Sequence, residues 1–176
     1  MNLKGTGSTS AMFAVVFIVF IFFALILTSG TDKQVSALEY QHHPIIVERV
    51  VDGDTLDVRD KGISYRVRLY GIDAPETTQM FGHKCKEHLA KLIENKTITL
   101  QRVGSDKYNR IICVMYSDND CVNERMVLDG CAWYYPQTRP VSNIIRFHEH
   151  VAKNEKRGIW VDDNPVPPWI YRKESK

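Results

Sequence analysis

The sequence predicts an α+β fold in which a five-stranded β-barrel carries three α-helices and follows an N-terminal hydrophobic helix. Three observations predict it. Short segments rich in β-branched residues recur with turn signals between residues 45 and 116, helical periodicity marks three stretches, and one uncharged apolar run lies near the N-terminus. The chain of 176 residues is long enough for one such domain and an additional segment.

Composition excludes two broad classes of protein. Hydrophobic residues make up 44% of the chain and charged residues 25%, which is typical of a globular protein and not of a disordered one. The formal net charge is only +2, from 23 basic and 21 acidic residues. Because no global excess of positive charge is present, the chain is not a polybasic nucleic-acid coat, and any phosphate recognition depends on a few placed residues.

The apolar run covers residues 11–27 and contains no charge. Lys4 precedes it and the small-x-small triplet Val35-Ser36-Ala37 follows it, as in an export signal. The run exceeds the roughly 7–15 residues of a signal core but falls slightly short of the roughly 20 residues of a spanning helix. Residues 1–37 are therefore predicted to be either a signal peptide cleaved after Ala37 or a retained membrane anchor. Both alternatives export the remainder, which would be periplasmic or extracellular.

The first half of the exported part is predicted to form three strands. Residues 45–51 are rich in β-branched side chains, and Asp52-Gly53-Asp54 marks a turn before an alternating strand at residues 55–59. After a second turn, the third strand is expected over residues 63–72. Pro75 ends it, because proline lacks the N–H that a ladder requires.

Three helices and two more strands complete the predicted domain. The first helix places Cys85 and Leu89 on one face, and Asn123 is expected to cap the second. The proline-rich residues 165–169 are expected to form an extended tail. Five short strands with helices between and after them are typical of a small barrel of the oligonucleotide-binding type. These later elements are expected at residues 84–94, 123–130 and 142–156 for the helices and at residues 97–102 and 110–116 for the strands.

The exported part is thus divided into three regions. They are a linker over residues 38–44, one folded domain over residues 45–169 and a polar C-terminal tail over residues 170–176. All the cysteines of the chain lie in the folded domain.

Four cysteines in an exported domain suggest two disulfides. The expected pairs are Cys85–Cys113, which would tie the first helix to a strand, and Cys121–Cys131, which would tie a hairpin to the end of the second helix. The alternative is four free, buried thiols, because cysteine is often buried even when it forms no disulfide.

Three clusters of polar residues carry the chemistry, at residues 52–55, 68–76 and 106–110. Each alone is typical of an ordinary turn, strand end or solvated loop. Together they contain what phosphodiester hydrolysis requires. Asp54 and Asp73 can offer carboxylate oxygens to a hard divalent cation, and the carbonyl of Ala74 can add a third oxygen.

The other side chains of these clusters match the remaining needs of the reaction. Arg68 and Arg110 can bind a phosphate through charge-assisted hydrogen bonds. Glu76 can accept a proton from a water molecule or orient it, and both roles stay open. Lys107 and Tyr108 can hold a second phosphate or stack on a base.

The three motifs, Asp-Gly-Asp-Thr, Arg-x-x-x-x-Asp-x-Pro-Glu and Asp-Lys-Tyr-x-Arg, resemble in that order those of the staphylococcal nuclease (thermonuclease) family. The resemblance covers about residues 45–169. It implies a five-stranded barrel with three helices and a calcium-dependent nuclease acting on DNA and RNA. Such an enzyme cleaves the 5′ P–O bond with a metal-bound water and leaves 3′-phosphate ends.

The resemblance also implies a role for each matching residue. Asp54 and Asp73 would bind calcium through their carboxylates and Ala74 through its carbonyl, with Asp52 supporting them. Arg68, Glu76 and Arg110 would be the catalytic residues. The residues expected to bind the substrate are Lys107, Tyr108 and, as the best candidate of three consecutive aromatic residues, Tyr135.

Two other functions use the same features differently. The barrel can bind single-stranded nucleic acid without cutting it, or serve as a membrane-tethered scaffold through residues 11–27. Loss of the carboxylates or the arginines would indicate the first alternative, but all of them are present. The sequence therefore favours a nuclease with a monomeric catalytic domain, and we expect substitution of Arg68, Glu76 or Arg110 to remove activity with little loss of fold.

Overall fold

The computed structural model describes residues 45–140 and 142–175. The predicted signal peptide or anchor, its cleavage position and the linker fall outside the described residues. Within the described ranges, no helix is both long enough and apolar enough to cross a membrane.

The described residues form eight strands in two sheets. They are β1 (Ile46–Val50), β2 (Thr55–Asp60), β3 (Ile63–Leu69), β4 (Ile72–Asp73), β5 (Ile98–Ser105), β6 (Ile111–Ser117), β7 (Asp120–Cys121) and β8 (Trp133–Tyr134). The larger sheet has the order β1-β2-β3-β6-β5, with β7 paired to β6, and the smaller sheet joins β4 to β8. The β3–β6 pair is parallel, whereas β2 pairs antiparallel with both β1 and β3. This arrangement is consistent with the predicted barrel of the oligonucleotide-binding type.

Four α-helices and one short 3-10 helix complete the described fold. They are α1 (Gly82–Ile93), α2 (Val122–Leu128), α3 (Ile145–Asn154) and α4 (Pro168–Glu174), with the 3-10 helix at Gly158–Val161. The mixed α+β class is confirmed, and three helices lie where the sequence predicted them.

The number of helices is a correction, because α4 forms where a proline-rich tail was expected. Pro168 occupies the first turn of α4, where its fixed φ suits a helix and its missing N–H costs nothing. Trp169 then packs edge-on against Trp133, with 6.5 Å between the ring centroids. Sequence periodicity does not reveal so short a helix, because a packing contact from outside it stabilises it.

A turn at Tyr70-Gly71 divides the strand expected over residues 63–72 into β3 and β4. Gly71 has a φ of 76°, which glycine adopts without the steric cost of a side chain. The Tyr70 N–H donates to the Cys113 carbonyl at 2.7 Å, and the Gly71 carbonyl accepts from the Tyr135 N–H at 2.9 Å. As a result Asp73 leaves the larger sheet and pairs with Trp133 of β8.

The apolar side of α1 shares one core with the larger sheet. Cys85 and Leu89 of α1 are buried together with Leu56 of β2 and Val67 of β3. Val58 of β2 and Val67 of β3 each lie between exposed or partly exposed neighbours, as a half-buried strand requires. Each buried aliphatic side chain of this kind contributes about 1.5–3 kcal/mol to stability, so the core fixes the strand ends that carry the polar clusters.

Asn123 does not cap α2 as predicted. Cys121 holds the cap position and no side chain caps the helix. The fully buried Asn123 instead accepts from the Met115 N–H at 2.9 Å and donates to the Tyr70 carbonyl at 2.9 Å. Its amide therefore hydrogen-bonds to backbone groups of both β6 and the β3–β4 turn. A residue on the buried face of α2 can reach these groups, whereas a residue at the cap position cannot.

The predicted disulfides Cys85–Cys113 and Cys121–Cys131 are not present in the structure described. All four cysteines are free thiols, and three of them are buried. Cys85 hydrogen-bonds to Cys131 rather than facing Cys113, because α1 directs its buried face toward the segment that follows α2. Burial raises the pKa of the Cys113 thiol to about 12, which makes it a poor nucleophile for disulfide exchange.

Candidate active site

The three polar clusters meet around one open cavity of about 1120 Å3. This exceeds the roughly 300–1,000 Å3 of sites that enclose a small molecule, so the cavity has room for a polymer to pass across it. Eight of the ten residues predicted for catalysis, metal and substrate line the cavity. They are Asp52, Asp54, Arg68, Ala74, Glu76, Tyr108, Arg110 and Tyr135.

Asp54 stands in the loop between β1 and β2 and is almost fully buried. Its Oδ1 accepts from the Thr55 hydroxyl at 2.9 Å and from Arg68, and its Oδ2 accepts from the Ala74 N–H at 2.8 Å. Asp52 Oδ1 accepts from the Asp54 N–H at 2.9 Å. Asp52 therefore shapes the loop that presents Asp54.

The same loop approaches the β4–α1 segment so closely that only glycine fits between them. A Cβ placed on Gly53 would lie 2.7 Å from the Cβ of Ala74 and 3.3 Å from that of Cys85. The first of these separations is shorter than side-chain packing allows. Gly53 thus keeps Asp54 beside Ala74, and the buried face of α1 supports both from behind.

Burial raises the pKa of the Asp54 carboxyl above its usual range, although the positive charge of Arg68 acts in the opposite direction. The pKa of Arg68 is itself raised by the charges of Asp54 and Asp73, which outweigh the cost of its own burial. An additional cation placed beside such a buried carboxylate stabilises its ionised form.

Arg68, near the end of β3, joins the two acidic residues predicted to bind metal. One arm of its guanidinium donates to Asp54, and Nη2 donates to Asp73 Oδ1 at 2.6 Å. Both carboxylates therefore lie within the span of one guanidinium group. The structure brings Asp54 and Asp73 together as the sequence predicted.

Asp73 is fully buried and does not line the cavity. Its Oδ2 accepts from Arg172 Nη2 at 2.7 Å, and its Oδ1 accepts from Arg172 Nη1 at 3.2 Å as well as from Arg68. The same Nη1 of Arg172 donates to Glu76 Oε1 at 2.7 Å. Arg172 of α4 therefore covers Asp73 on the side of Glu76.

Sequence reasoning missed Arg172, because residues 170–176 were predicted to be a polar tail. The available signal was a helix start: Pro167-Pro168 precedes Trp169 and the apolar Ile170, and proline is favoured at the first turn of a helix. Nothing in the sequence indicates that Arg172 reaches Asp73, which lies far away along the chain.

The third cluster forms the turn between β5 and β6. Asp106 Oδ1 accepts from the backbone N–H groups of Tyr108 and Arg110 at 2.9 and 3.0 Å, and Oδ2 accepts from Arg110 Nε at 2.7 Å. The Arg110 guanidinium lies 5.6 Å from the centroid of the Tyr108 ring. Asp106 thus orients Arg110 toward the cavity.

The aromatic residues differ in their access to the cavity. Tyr108 is 68% exposed, and Lys107 lies over its ring at 5.0 Å, outside the cavity lining. Of the three consecutive aromatic residues, Trp133 and Tyr134 are buried in the core, whereas Tyr135 lines the cavity. The Tyr135 ring packs against Trp169 with 5.6 Å between centroids.

The acidic residues suit a hard divalent cation, because carboxylate and carbonyl oxygens are the ligands that such cations prefer. Asp54 and Asp73 are both buried and each accepts a hydrogen bond from an arginine, in keeping with the need of a buried carboxylate for a cationic partner. Within the described part of the chain, no group of three or more His, Cys, Asp or Glu side chains could hold an ion by themselves. Backbone oxygens such as the Ala74 carbonyl, and water, would have to complete the shell.

Comparison with known proteins gives concordant results. A family model described as "Staphylococcal nuclease homologue" matches residues 66–162. An "Uncharacterized endonuclease" of Escherichia coli is 42% identical over 129 residues, which cover 72% of this chain and 82% of that protein. A protein of the same name in Haemophilus influenzae is 37% identical over 142 residues (80% of this chain, 79% of that protein). The "Micrococcal nuclease" of Shigella flexneri is 34% identical over 140 residues (74% and 80%).

Proposed function

Because the chain belongs to the staphylococcal nuclease family, and is therefore a metal-dependent nuclease that hydrolyses phosphodiester bonds, we propose that its ion is calcium and its products are 3′-phosphate ends. On this proposal it cleaves the 5′ P–O bond of both DNA and RNA. The observation that carries the proposal is that Arg68 joins Asp54 to Asp73 at the cavity where Glu76 and Arg110 also lie.

We assign Asp54, Asp73 and the carbonyl of Ala74 as the residues that hold calcium. Two carboxylates offset the charge of a divalent cation, and an all-oxygen set matches the preference of calcium. Asp52 contributes by holding the loop that carries Asp54. When bound, the ion would supply positive charge beside the reacting phosphate and make a water molecule more acidic.

Arg68 and Arg110 bind and stabilise the phosphate in this proposal. The transition state of phosphoryl transfer is loose, so catalysis depends mainly on charge stabilisation and positioning. Arg110 is already oriented by Asp106 at 2.7 Å, and Arg68 by Asp73 at 2.6 Å. A guanidinium held in this way loses little entropy when it binds the phosphate.

Glu76 accepts the proton of the attacking water or orients that water. The Glu76 N–H donates to Gln79 Oε1 at 2.9 Å, which fixes the start of the loop after β4. Its carboxylate lies at the cavity, and Arg172 is its present partner. Both roles require this carboxylate to be ionised and directed at the scissile phosphate.

Tyr108, Lys107 and Tyr135 contact the rest of the bound nucleotide in this proposal. The exposed ring of Tyr108 offers a surface for a base or sugar, and stacking of this kind tolerates any sequence. Lys107, beside that ring, supplies charge to a terminal phosphate. Tyr135 also lines the cavity and offers a second aromatic surface there.

We also propose that the enzyme is exported, with a monomeric catalytic domain. Residues 1–37 direct export, and the enzyme is either secreted after cleavage at Ala37 or anchored through residues 11–27. Determining the N-terminus of protein recovered from medium and from membranes distinguishes the two alternatives.

The test of the proposed function is cutting of single-stranded DNA and RNA by the purified full chain in calcium, magnesium or a chelator. We expect cutting in calcium, none in the chelator and much less in magnesium. Arg110→Ala serves as the inactive control, because it leaves the acidic residues of the site in place. Equal cutting in magnesium and calcium would contradict the assignment of the ion.

A further inference from the structure

Arg172 of α4 contacts both acidic residues on one side of the site. Its Nη2 donates to Asp73 Oδ2 at 2.7 Å, and its Nη1 donates to Glu76 Oε1 at 2.7 Å and to Asp73 Oδ1 at 3.2 Å. The ion pairs join residues 96 and 99 positions apart in the chain. Arg172 thus supplies the positive charge that lies between Asp73 and Glu76.

These contacts close the route from the cavity to Asp73. Asp73 is fully buried, and each of its oxygens accepts at least one hydrogen bond from an arginine. Arg172 lines the cavity and its side chain is 40% exposed, whereas Asp73 does not line it. A cation that enters from the cavity and binds Asp73 must therefore displace the guanidinium group of Arg68 or of Arg172, and that of Arg172 is the more exposed, at 40% against 17% for Arg68.

The helix that carries Arg172 is attached by few contacts. It has seven residues. Besides the Arg172 hydrogen bonds, its contacts include the packing of Trp169 and a hydrogen bond from the Tyr171 hydroxyl to Thr78 at 3.1 Å, and Gln79 donates to the Val166 carbonyl, just before the helix, at 3.1 Å. Short, partly exposed elements of this kind open at lower cost than core elements. The family match ends at residue 162, before α4 begins.

We propose that Arg172 is a positioning residue that occupies a cation's place beside Asp73, on the side of Glu76, and is displaced when a divalent cation binds Asp73. Two neighbouring carboxylates repel each other without a cation between them. Arg172 removes that repulsion in the cation-free protein and keeps both groups in place. It also competes with the cation, so the apparent affinity of the site is lower than its acidic residues alone would give. The inference rests on the proposed role of Asp73 as a metal ligand.

The test measures calcium binding to the full chain by calorimetry, without nucleic acid, and the thermal midpoint in chelator. We compare Arg172→Ala and Arg172→Lys with Lys173→Ala, a control at the neighbouring exposed position of α4. Coupling between two interacting groups typically changes the affinity for a ligand by a factor of about 5–150. We therefore expect Arg172→Ala to bind calcium at least about fivefold more tightly and to melt at a lower temperature in chelator. Arg172→Lys should lie between it and the parent, and Lys173→Ala should match the parent.

Unchanged or weaker calcium binding by a folded Arg172→Ala protein would overturn the inference. If circular dichroism shows that this variant does not fold, Arg172→Gln, which keeps two of the three stem methylenes and removes the charge, provides the same comparison. A chain that shows the expected binding pattern but does not cut nucleic acid contradicts the proposed function alone. A chain that cuts with calcium, but whose calcium affinity is indifferent to Arg172, contradicts this inference alone. No calcium binding by any variant contradicts both.

Discussion

Arg68 Nη2 lies 2.6 Å from Asp73 Oδ1, so a strand end of the larger sheet is joined directly to the short strand β4. This contact crosses the turn at Tyr70-Gly71, which turns the chain out of the sheet. Arg68 also donates to Asp54. One guanidinium therefore binds two buried carboxylates and also lines the cavity, which couples the stability of the site to its chemistry.

Arg68→Ala should lower both cutting and stability. We expect the rate to fall about a thousandfold or more, because a charge that stabilises the transition state is lost. We also expect a loss of about 3–5 kcal/mol of unfolding free energy in chelator, because Asp54 and Asp73 are left buried without that partner. For Arg68, we therefore expect a larger effect on stability than the sequence alone suggested.

Arg110→Ala is the matched comparison for Arg68→Ala. The Arg110 side chain is 27% exposed and that of its acidic partner Asp106 is 20% exposed, so solvent reaches both charges and removal of Arg110 should reduce cutting with a stability change of about 1 kcal/mol. Chemical denaturation and single-turnover cutting measure the two effects. Equal stability losses in the two variants would contradict the account of Arg68.

Asp54→Asn should weaken calcium binding specifically. The amide keeps the size of the carboxylate but removes one charge from the ligand set, so we expect the calcium midpoint of cutting to rise at least about tenfold. Asp57→Asn is the control. Asp57 also lines the cavity, but its carboxylate is bound by Arg66 and Arg49, whose hydrogen bonds lower its pKa to about 2. If both variants shift the calcium titration equally, Asp54 is not a ligand.

Gly53→Ala should displace the loop that presents Asp54. Its new Cβ would lie 2.7 Å from the Cβ of Ala74, and overpacking of this kind typically costs about 1–3 kcal/mol. Cutting should fall with stability, since Asp54 and Ala74 both move. Gly104→Ala is the matched control, because nothing lies within 4 Å of its Cβ position. Thermal melts and cutting assays compare the two, and a fully active Gly53→Ala protein would show that the loop tolerates a shift.

The His88–Asp129 pair should make stability depend on pH. The hydrogen bond that His88 Nε2 donates to Asp129 Oδ2, at 2.8 Å, raises the pKa of His88. Burial tends to raise the pKa of Asp129, but hydrogen bonds and charges from His88 and Arg125 hold it below its usual range. The contribution of His88 is full below its unfolded pKa of about 6.5 and is lost as the pH rises through its higher folded pKa. That of Asp129 is full above its unfolded pKa of about 3.9 and is lost as the pH falls.

The contribution of the pair should therefore be largest between about pH 4 and 6.5. His88→Gln should cost about 1 kcal/mol in that window and less above about pH 8. Urea denaturation across the pH range measures it, with the exposed His83→Gln as control. A difference that grows above pH 8 would contradict the direction of the pKa shift.

Local signals in the sequence predicted most of the fold. The turn at Asp52-Gly53-Asp54, the alternation after it and the apolar face of α1 are properties of neighbouring residues, and the structure has a loop, a strand and a helix there. The three motifs likewise identified side chains that meet at one cavity. The sequence could predict that the three motifs lie close together, because each motif is at the end of a strand and one core holds these strands.

The features that were missed depend on contacts distant in sequence. Asn123 precedes an apolar run and looks like a cap, but its amide binds the backbone at Tyr70 and Met115. The partner of Cys85 is Cys131, which only the packing of α1 near the end of α2 decides. Arg172 finds Asp73 through a helix that depends on Trp169 packing against Trp133. No local pattern specifies such partners.

The most direct test of the central claim is the chemistry of the cut ends. A single-stranded DNA carrying one 5′ label is cut by the full chain in calcium, and the products are examined by mass spectrometry. The account predicts 3′-phosphate and 5′-hydroxyl ends, and their loss in chelator and in Arg68→Ala. Cutting that leaves 5′-phosphate and 3′-hydroxyl ends, or cutting that continues in chelator, would contradict it.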